Sequence, residues 1–200
     1  MATKEQIRDN VASRLHRQSL SDVIEGAIDK AINYYNGRRF WFSEGRKSFT
    51  VSSGATAYTL STSMVSVIAV TVTRSGNTYQ IEPVPEKERL AYQTNSVTGD
   101  PSWYALYKNT FIPYPAPNQT YTVEISGTRK EASITTSGSN AFTVHAEELI
   151  EARAGWYVAS YHLHDHEFAQ LYKMLEAEAI HNLQRQEALR STNRVTPTEF

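Results

Sequence analysis

The hydrophobic period of this chain changes twice, and that pattern restricts its folds more than any other feature. Apolar residues recur every three or four positions near the N-terminus, at every second position from about residue 48, and every three or four again from about residue 141. A helix returns a side chain to the same face after about 3.6 residues and a strand after two. The order is therefore helices, then strands, then helices.

Within the first helical stretch, Thr3 and Gln6 have the spacing of a capping box, and Ile7, Val11 and Leu15 follow as a narrow stripe. The segment "SLSD" interrupts it, and Ser21 is the expected cap of a second helix. Ile24, Ala27, Ile28, Ala31, Ile32 and Tyr35 give that helix a full apolar face. Asn36-Gly37 should end it, with Gly37 taking the left-handed C-terminal position. The short connection predicts an antiparallel hairpin of helices.

Phe49 and Val51 open the period-two region, with turns at Ser53-Gly54, Ser75-Gly76-Asn77 and Lys108-Asn109. The run "MVSVIAVTVT" (64–73) is apolar on both faces, which predicts a strand covered on both sides. Pro85 to Gln93 reads as one short helix. Tyr121, Val123 and Ile125 alternate with Thr122 and Glu124. Six or seven short strands at this spacing predict an antiparallel sandwich or barrel.

After a polar linker at 133–140, Leu149, Ala152, Trp156, Ala159 and Leu163 share one helical face. Ile150, Ala154, Val158 and Tyr161 share another, so this helix should be central, with neighbours on two sides. Gly155 in its middle costs about 1 kcal/mol against Ala, which points to a close backbone approach. "HLHDH" turns the chain into a last helix carrying Phe168, Tyr172, Leu175, Ala179 and Leu183, ending near Leu189. The fold class expected is α+β: a small helical bundle from 1–47 and 141–189, an inserted antiparallel β-sandwich or barrel-like region at 48–132, and a flexible tail at 190–200.

Charge is uneven along the chain. Residues 1–50 carry nine basic against six acidic side chains, whereas residues 131–200 carry five against ten. The formal net charge of −1 excludes a general electrostatic binder of nucleic acid. With no cysteine, disulfides, thiolate catalysis and cysteine-based zinc sites are excluded. No signal-type N-terminus and no apolar run of spanning length are present, so the expectation is a protein made in the cytoplasm, with no membrane partner.

Three constellations could carry chemistry. His162, His164 and His166 beside Asp165 look like metal ligands, but the spacing is one residue short of a hydrolytic H-x-H-x-D-H pattern and alternate positions of a helix diverge. No metal or other cofactor is expected. Glu147, Glu148, Glu151, Glu176 and Glu178 sit at spacings that read as a solvated acidic face, and no nucleophile elbow, P-loop or dinucleotide fingerprint occurs. An enzyme is not expected. The stretch "NYYNGRRFWFSEG" (33–45) interleaves aromatic and basic residues as a nucleic-acid surface would. Its brevity favours Phe40, Trp41 and Phe42 as the junction between bundle and sheet, with Arg38 and Arg39 facing acidic helices of the same or a neighbouring chain.

The order of parts, the aromatic step "RRFWF" (38–42) and the segment "DPSWYALYKNTFIPYPAPNQTYTVEISG" (100–127) resemble the head-to-tail adaptor (connector) proteins of tailed bacteriophages. The resemblance covers most of the chain; the third helix of that family often follows a proline, which "AFTVHAEEL" lacks. It implies a structural function in the neck of a virion. Such proteins form dodecameric rings that join the portal to tail or nozzle components and extend the DNA channel, without sequence-specific DNA binding. The ring would be built by the helices at 3–36 and 145–189, with Arg38, Arg39, Trp156 and Tyr157 as candidate contacts between copies. The tail would dock the portal through Arg190, Arg194, Val195 and Phe200. Acidic residues between 147 and 178 would line the channel and repel phosphates. The alternative is a tail-appendage or carbohydrate- or protein-binding β-sandwich, with Trp103, Tyr104 and Tyr107 as a stacking platform.

Overall fold

In the computed structural model, which describes residues 2–60, 64–92 and 97–192, the chain forms two compact units. One combines Met1–Ser43 with Glu131–Phe200, and the other spans Glu44–Lys130. The architecture is α+β, with helices from both ends of the chain and a nearly closed, barrel-like mixed sheet between them in sequence.

The helical unit opens with α1 (Lys4–Arg14), capped as expected: the Thr3 hydroxyl accepts from the Gln6 amide at 3.2 Å, and the Thr3 amide donates to Gln6 Oε1 at 2.9 Å. Two further amides of its first turn, from Lys4 and Glu5, donate to the carbonyls of Gly138 and Thr136. The polar linker thus satisfies donors that a helix start leaves open. In α2 (Ser21–Tyr35), Ser21 is not a cap. A 3-10 turn over Gln18–Leu20 runs straight into the helix, and the Ser21 hydroxyl donates back to the Gln18 carbonyl at 3.3 Å.

Gly37 does not take the left-handed conformation either; Asn36 ends the helix in a right-handed one. The Asn36 side chain is buried and pairs with the backbone of Glu131 in both directions, at 3.1 and 2.8 Å. It holds the returning chain at the end of α2.

The sheet unit contains β1 (Glu44–Val51), β2 (Tyr58–Thr59), β3 (Met64–Arg74), β4 (Asn77–Pro83), α3 (Glu86–Tyr92), β5 (Thr98–Gly99), β6 (Trp103–Tyr107), β7 (Thr110–Tyr114), β8 (Ala116–Pro117) and β9 (Tyr121–Arg129). The main sheet has the order β1-β9-β3-β4-β6-β7-β2. Its pairs are antiparallel except β4 with β6; β5 and β8 form a separate parallel pair. Glu44 lies opposite Thr128, so the first and last strands of this unit are neighbours, as an inserted unit requires.

The core of the sheet is apolar and includes Val51, Val70, Val72, Ile81, Tyr104, Phe111, Val123 and Ile125. β3 is not covered on both faces: Val65 and Ile68 are about half exposed. Register shifts between Met64 and Ser66 and between Val67 and Ala69 break its alternation, so its apolar run does not report two covers. Opposite this irregular stretch, a Cβ at position 127 would overlap the Ser66 carbonyl, which only glycine avoids.

The helical unit closes with α4 (Ala141–His145), α5 (Glu147–Val158), a π-helical turn at Ala159–Leu163 and α6 (His166–Thr192). The short α4 directly follows the 133–140 linker; Asn140 caps it by accepting from the Thr143 amide, and the Thr143 hydroxyl accepts from the Asn140 amide in return. α5 is the central helix that its two apolar faces predict, packed by α1, α2, α4 and α6. Gly155 is the expected close approach, since a Cβ there would overlap the ring of Tyr172 on α6. His164 takes the left-handed conformation, and the Asp165 carboxylate caps α6 by accepting from the amides of Glu167 and Phe168 at 3.1 Å. α6 runs three residues beyond the helix end expected near Leu189, so Arg190 stands on a helix and not in a tail.

Candidate functional site

Two side-chain constellations on the helical unit stand out, and both include residues singled out in the sequence. The first is the aromatic step. Phe40 is buried, with Phe42 stacked on it at 5.2 Å between ring centroids. Both meet Phe142 edge-on, at 5.8 and 5.3 Å. Trp41 meets Phe42 edge-on at 5.4 Å, its ring lies 4.8 Å from His145, and Arg190 stacks its guanidinium 3.3 Å from the Trp41 centroid. The step therefore packs into the bundle core immediately before β1. Arg194, Val195 and Phe200 lie outside the described residues. Arg39 is exposed and lines a small groove with Phe40 and the α6 residues Ile180, Leu183, Gln184 and Glu187.

The second constellation surrounds Arg153. This guanidinium is nearly buried and bonds Glu176 at 3.1 Å, while the Tyr35 hydroxyl donates to the same carboxylate. Burial pushes the Tyr35 hydroxyl well above the usual phenol range, reinforced by its bond to Glu176. Arg153 also lies under three rings: Tyr34 at 3.9 Å, Trp156 at 4.4 Å and Tyr157 at 5.0 Å. Further out, Arg38 rests on Tyr34 and bonds its hydroxyl at 3.1 Å, and Lys173 sits 5.3 Å from the Trp156 centroid. Tyr161, carried by the π-helical turn, closes against Trp156 and Tyr157. The result is a face of rings and cations, with the ion pair beneath it. Trp156 and Tyr157 are brought together, Arg38 joins them through Tyr34, and both Arg38 and Arg39 line the groove beside α6.

Glu151 and Glu176 do not belong to a solvated acidic face. Glu151 is 3% exposed and Glu176 is 7% exposed. Glu151 accepts from Asn10 and pairs with Arg14 at 3.2 Å; burial holds its carboxyl above the usual range. A helix with two apolar faces has little solvent side left, and "LIEARAGW" sandwiches Glu151 and Arg153 between apolar neighbours. That sandwich was the available signal. Neither buried residue can line a channel.

Among the described residues no cluster of His, Asp and Glu has the geometry of a metal site, and no helix is long and apolar enough to cross a membrane. The platform imagined for sugars does not form: Tyr104 is buried in the sheet core and Trp103 packs against Tyr114 at 4.2 Å.

A model of the SU10 adaptor protein family matches residues 2–198. The chain belongs to that family. The match agrees with the head-to-tail adaptor resemblance of the aromatic step and the 100–127 segment, and it spans both units of this adaptor. No curated protein matches the chain. As a phage adaptor, it is a structural component that associates with other virion proteins. The arrangement of its polar groups suits that role. Among its buried charged groups, Arg153 pairs with Glu176 and Glu151 with Arg14.

Proposed function

We propose that this adaptor forms an oligomeric ring in the virion neck, joining the portal of the head to tail or nozzle components and continuing the DNA channel. The family match over nearly the whole chain is the observation that carries the reading. The helical unit supports it as the ring-building part: α5 is packed from several sides, which gives a rigid block able to present fixed faces to neighbours. The inserted sheet faces outward or toward the tail, and residues 190–200 dock the portal. Arg190, near the end of α6, starts that segment and stacks on Trp41. DNA passes without sequence-specific contacts. With Glu151 and Glu176 buried, Glu147, Glu148 and Glu178 are the residues of that acidic set left to line the channel in this reading.

Electron microscopy of the purified chain, alone and mixed with its portal, tests the proposal. Closed rings seated on the portal are expected. Persistent monomers that ignore the portal would refute it, and removal of residues 193–200 with undiminished portal binding would refute the docking role of the tail.

A further inference from the structure

We propose that the aromatic face around Arg153 is one half of a head-to-tail contact between copies of this chain, and that the other half is the first turn of α5 in the next copy. This rests on the ring reading above and assigns it two surfaces.

The first surface is apolar and outward. Tyr161 is 64% exposed and Met174 70% exposed. Scattered exposed apolar groups are ordinary, but these adjoin a continuous patch. Trp156 contacts Tyr157 at 5.1 Å and Tyr161 at 5.7 Å, and an open groove of about 500 Å³ runs from Trp156 and Ser160 along α6 to Met174. The patch is also rigid. Arg153 and Glu176 pin it from below, and the π-helical turn sets Tyr161 against its neighbours. π-Helical turns are rare and tend to occur at functional positions. At the edges stand Arg38 and Lys173, both exposed. Arg38 rests on Tyr34 and also lines the α6 groove with Glu187, Lys173 sits beside Trp156, and neither has an ion pair among the described residues.

The second surface has the opposite charge. Glu147 and Glu148 open α5, and neither is ion-paired among the described residues. They repel each other and add to the upward push on the Glu151 carboxyl. A cation from outside the chain would relieve that repulsion. Trp156, Tyr157 and Lys173 beside them lie toward the other end of α5 from Glu147 and Glu148, so one chain cannot join that part of the face to its own acidic turn. Two copies related by a twofold axis through the aromatic face would set Arg38 and Lys173 against like charges. A head-to-tail contact sets them against Glu147 and Glu148, and only such a contact closes into a ring of more than two subunits.

The test uses the full-length chain, with and without the portal. Electron microscopy and sedimentation would compare the wild type with R38E/K173E, with E147K/E148K, and with all four changes combined. Arg38, Lys173 and Glu148 are exposed and Glu147 is partly so, and thermal melting checks that each variant folds. Each double variant should need roughly tenfold or more protein for half-assembly, and the combined variant should regain rings, because like charges across an interface are strongly disfavoured and swapped pairs are restored. If the wild type forms rings and both double variants match it, the contact lies elsewhere and the ring reading survives. If the double variants form rings but lose the portal, the face belongs to a partner protein and this assignment is overturned. If the wild type forms no ring in any mixture, the ring reading fails, and the assignment with it.

Discussion

In the helical unit, Arg153, Glu176 and Glu151 are buried as ions or ion partners; in the sheet unit no charged side chain is buried among the described residues, and Thr128 is its buried polar group. The contrast follows from how each kind of element fixes its register. Strand pairs are held by backbone ladders and by an alternation that a one-residue slip would invert. Helices make their hydrogen bonds internally, and an apolar stripe alone lets neighbours slide. Tyr35 on α2, Arg153 on α5 and Glu176 on α6 converge on one site, as do Asn10 and Arg14 of α1 with Glu151 of α5. A buried ion pair is weak evidence for stability, yet it fixes which side chains can meet. In this account the helical unit uses that device because it must present fixed faces to neighbours.

The largest effect that could break the comparison comes from removing one ion. Arg153→Ala leaves the Glu176 carboxylate buried without its cation and should cost about 3–5 kcal/mol in urea unfolding. In the sheet, the same scale of loss, about 3–5 kcal/mol, should need an apolar truncation such as Phe111→Ala. If Arg153→Ala proved harmless, the buried pair would not organise the bundle. A smaller effect sharpens the packing claim. Gly155→Ala forces a methyl group into the Tyr172 ring, an overpacking that costs about 1–3 kcal/mol, partly offset by about 1 kcal/mol of helix propensity. A more stable Gly155→Ala variant would contradict the close approach.

The smallest effect is one of pH, and its sign differs between the two regions. Burial raises the Glu151 carboxyl, so the folded state holds that proton more tightly than the unfolded state. Its contribution is then greatest below the ordinary carboxylate range and falls as pH rises through the raised value. Asp100, in the sheet unit, is held below its usual range by the Tyr121 hydroxyl and then by Arg74. Its contribution is present above the ordinary value and is lost as pH falls through the lowered one. Stability curves of Glu151→Gln and Asp100→Asn from pH 3 to 8 should depart from the wild type in opposite senses.

Much of this was legible in the chain. The capping box at Thr3, the central position of α5 and the close approach at Gly155 follow from spacing and propensity, which are local. Tyr172 as the partner of Gly155 was not legible, because contact between helices depends on their crossing. Arg190 reads as the start of a tail because the residues after it are polar; its partner Trp41 comes from the other end of the chain. Ser21 and Gly37 have the right chemistry for helix ends, but a 3-10 turn and the Asn36–Glu131 pairing took those roles. The aromatic face was half legible: Arg38, Trp156 and Tyr157 could be named, whereas Tyr34, Tyr161 and Lys173 join them only through the fold.

Hydroxyl-radical footprinting of the full-length chain, before and after assembly with its portal, tests most directly that the helical unit carries the contacts between copies. Oxidation of Trp156, Tyr157, Tyr161 and Met174 should fall sharply on assembly, while Tyr107, exposed at the end of a sheet hairpin, should change little. Unchanged oxidation of the four helical residues in confirmed rings, with protection at Tyr107, would contradict the account.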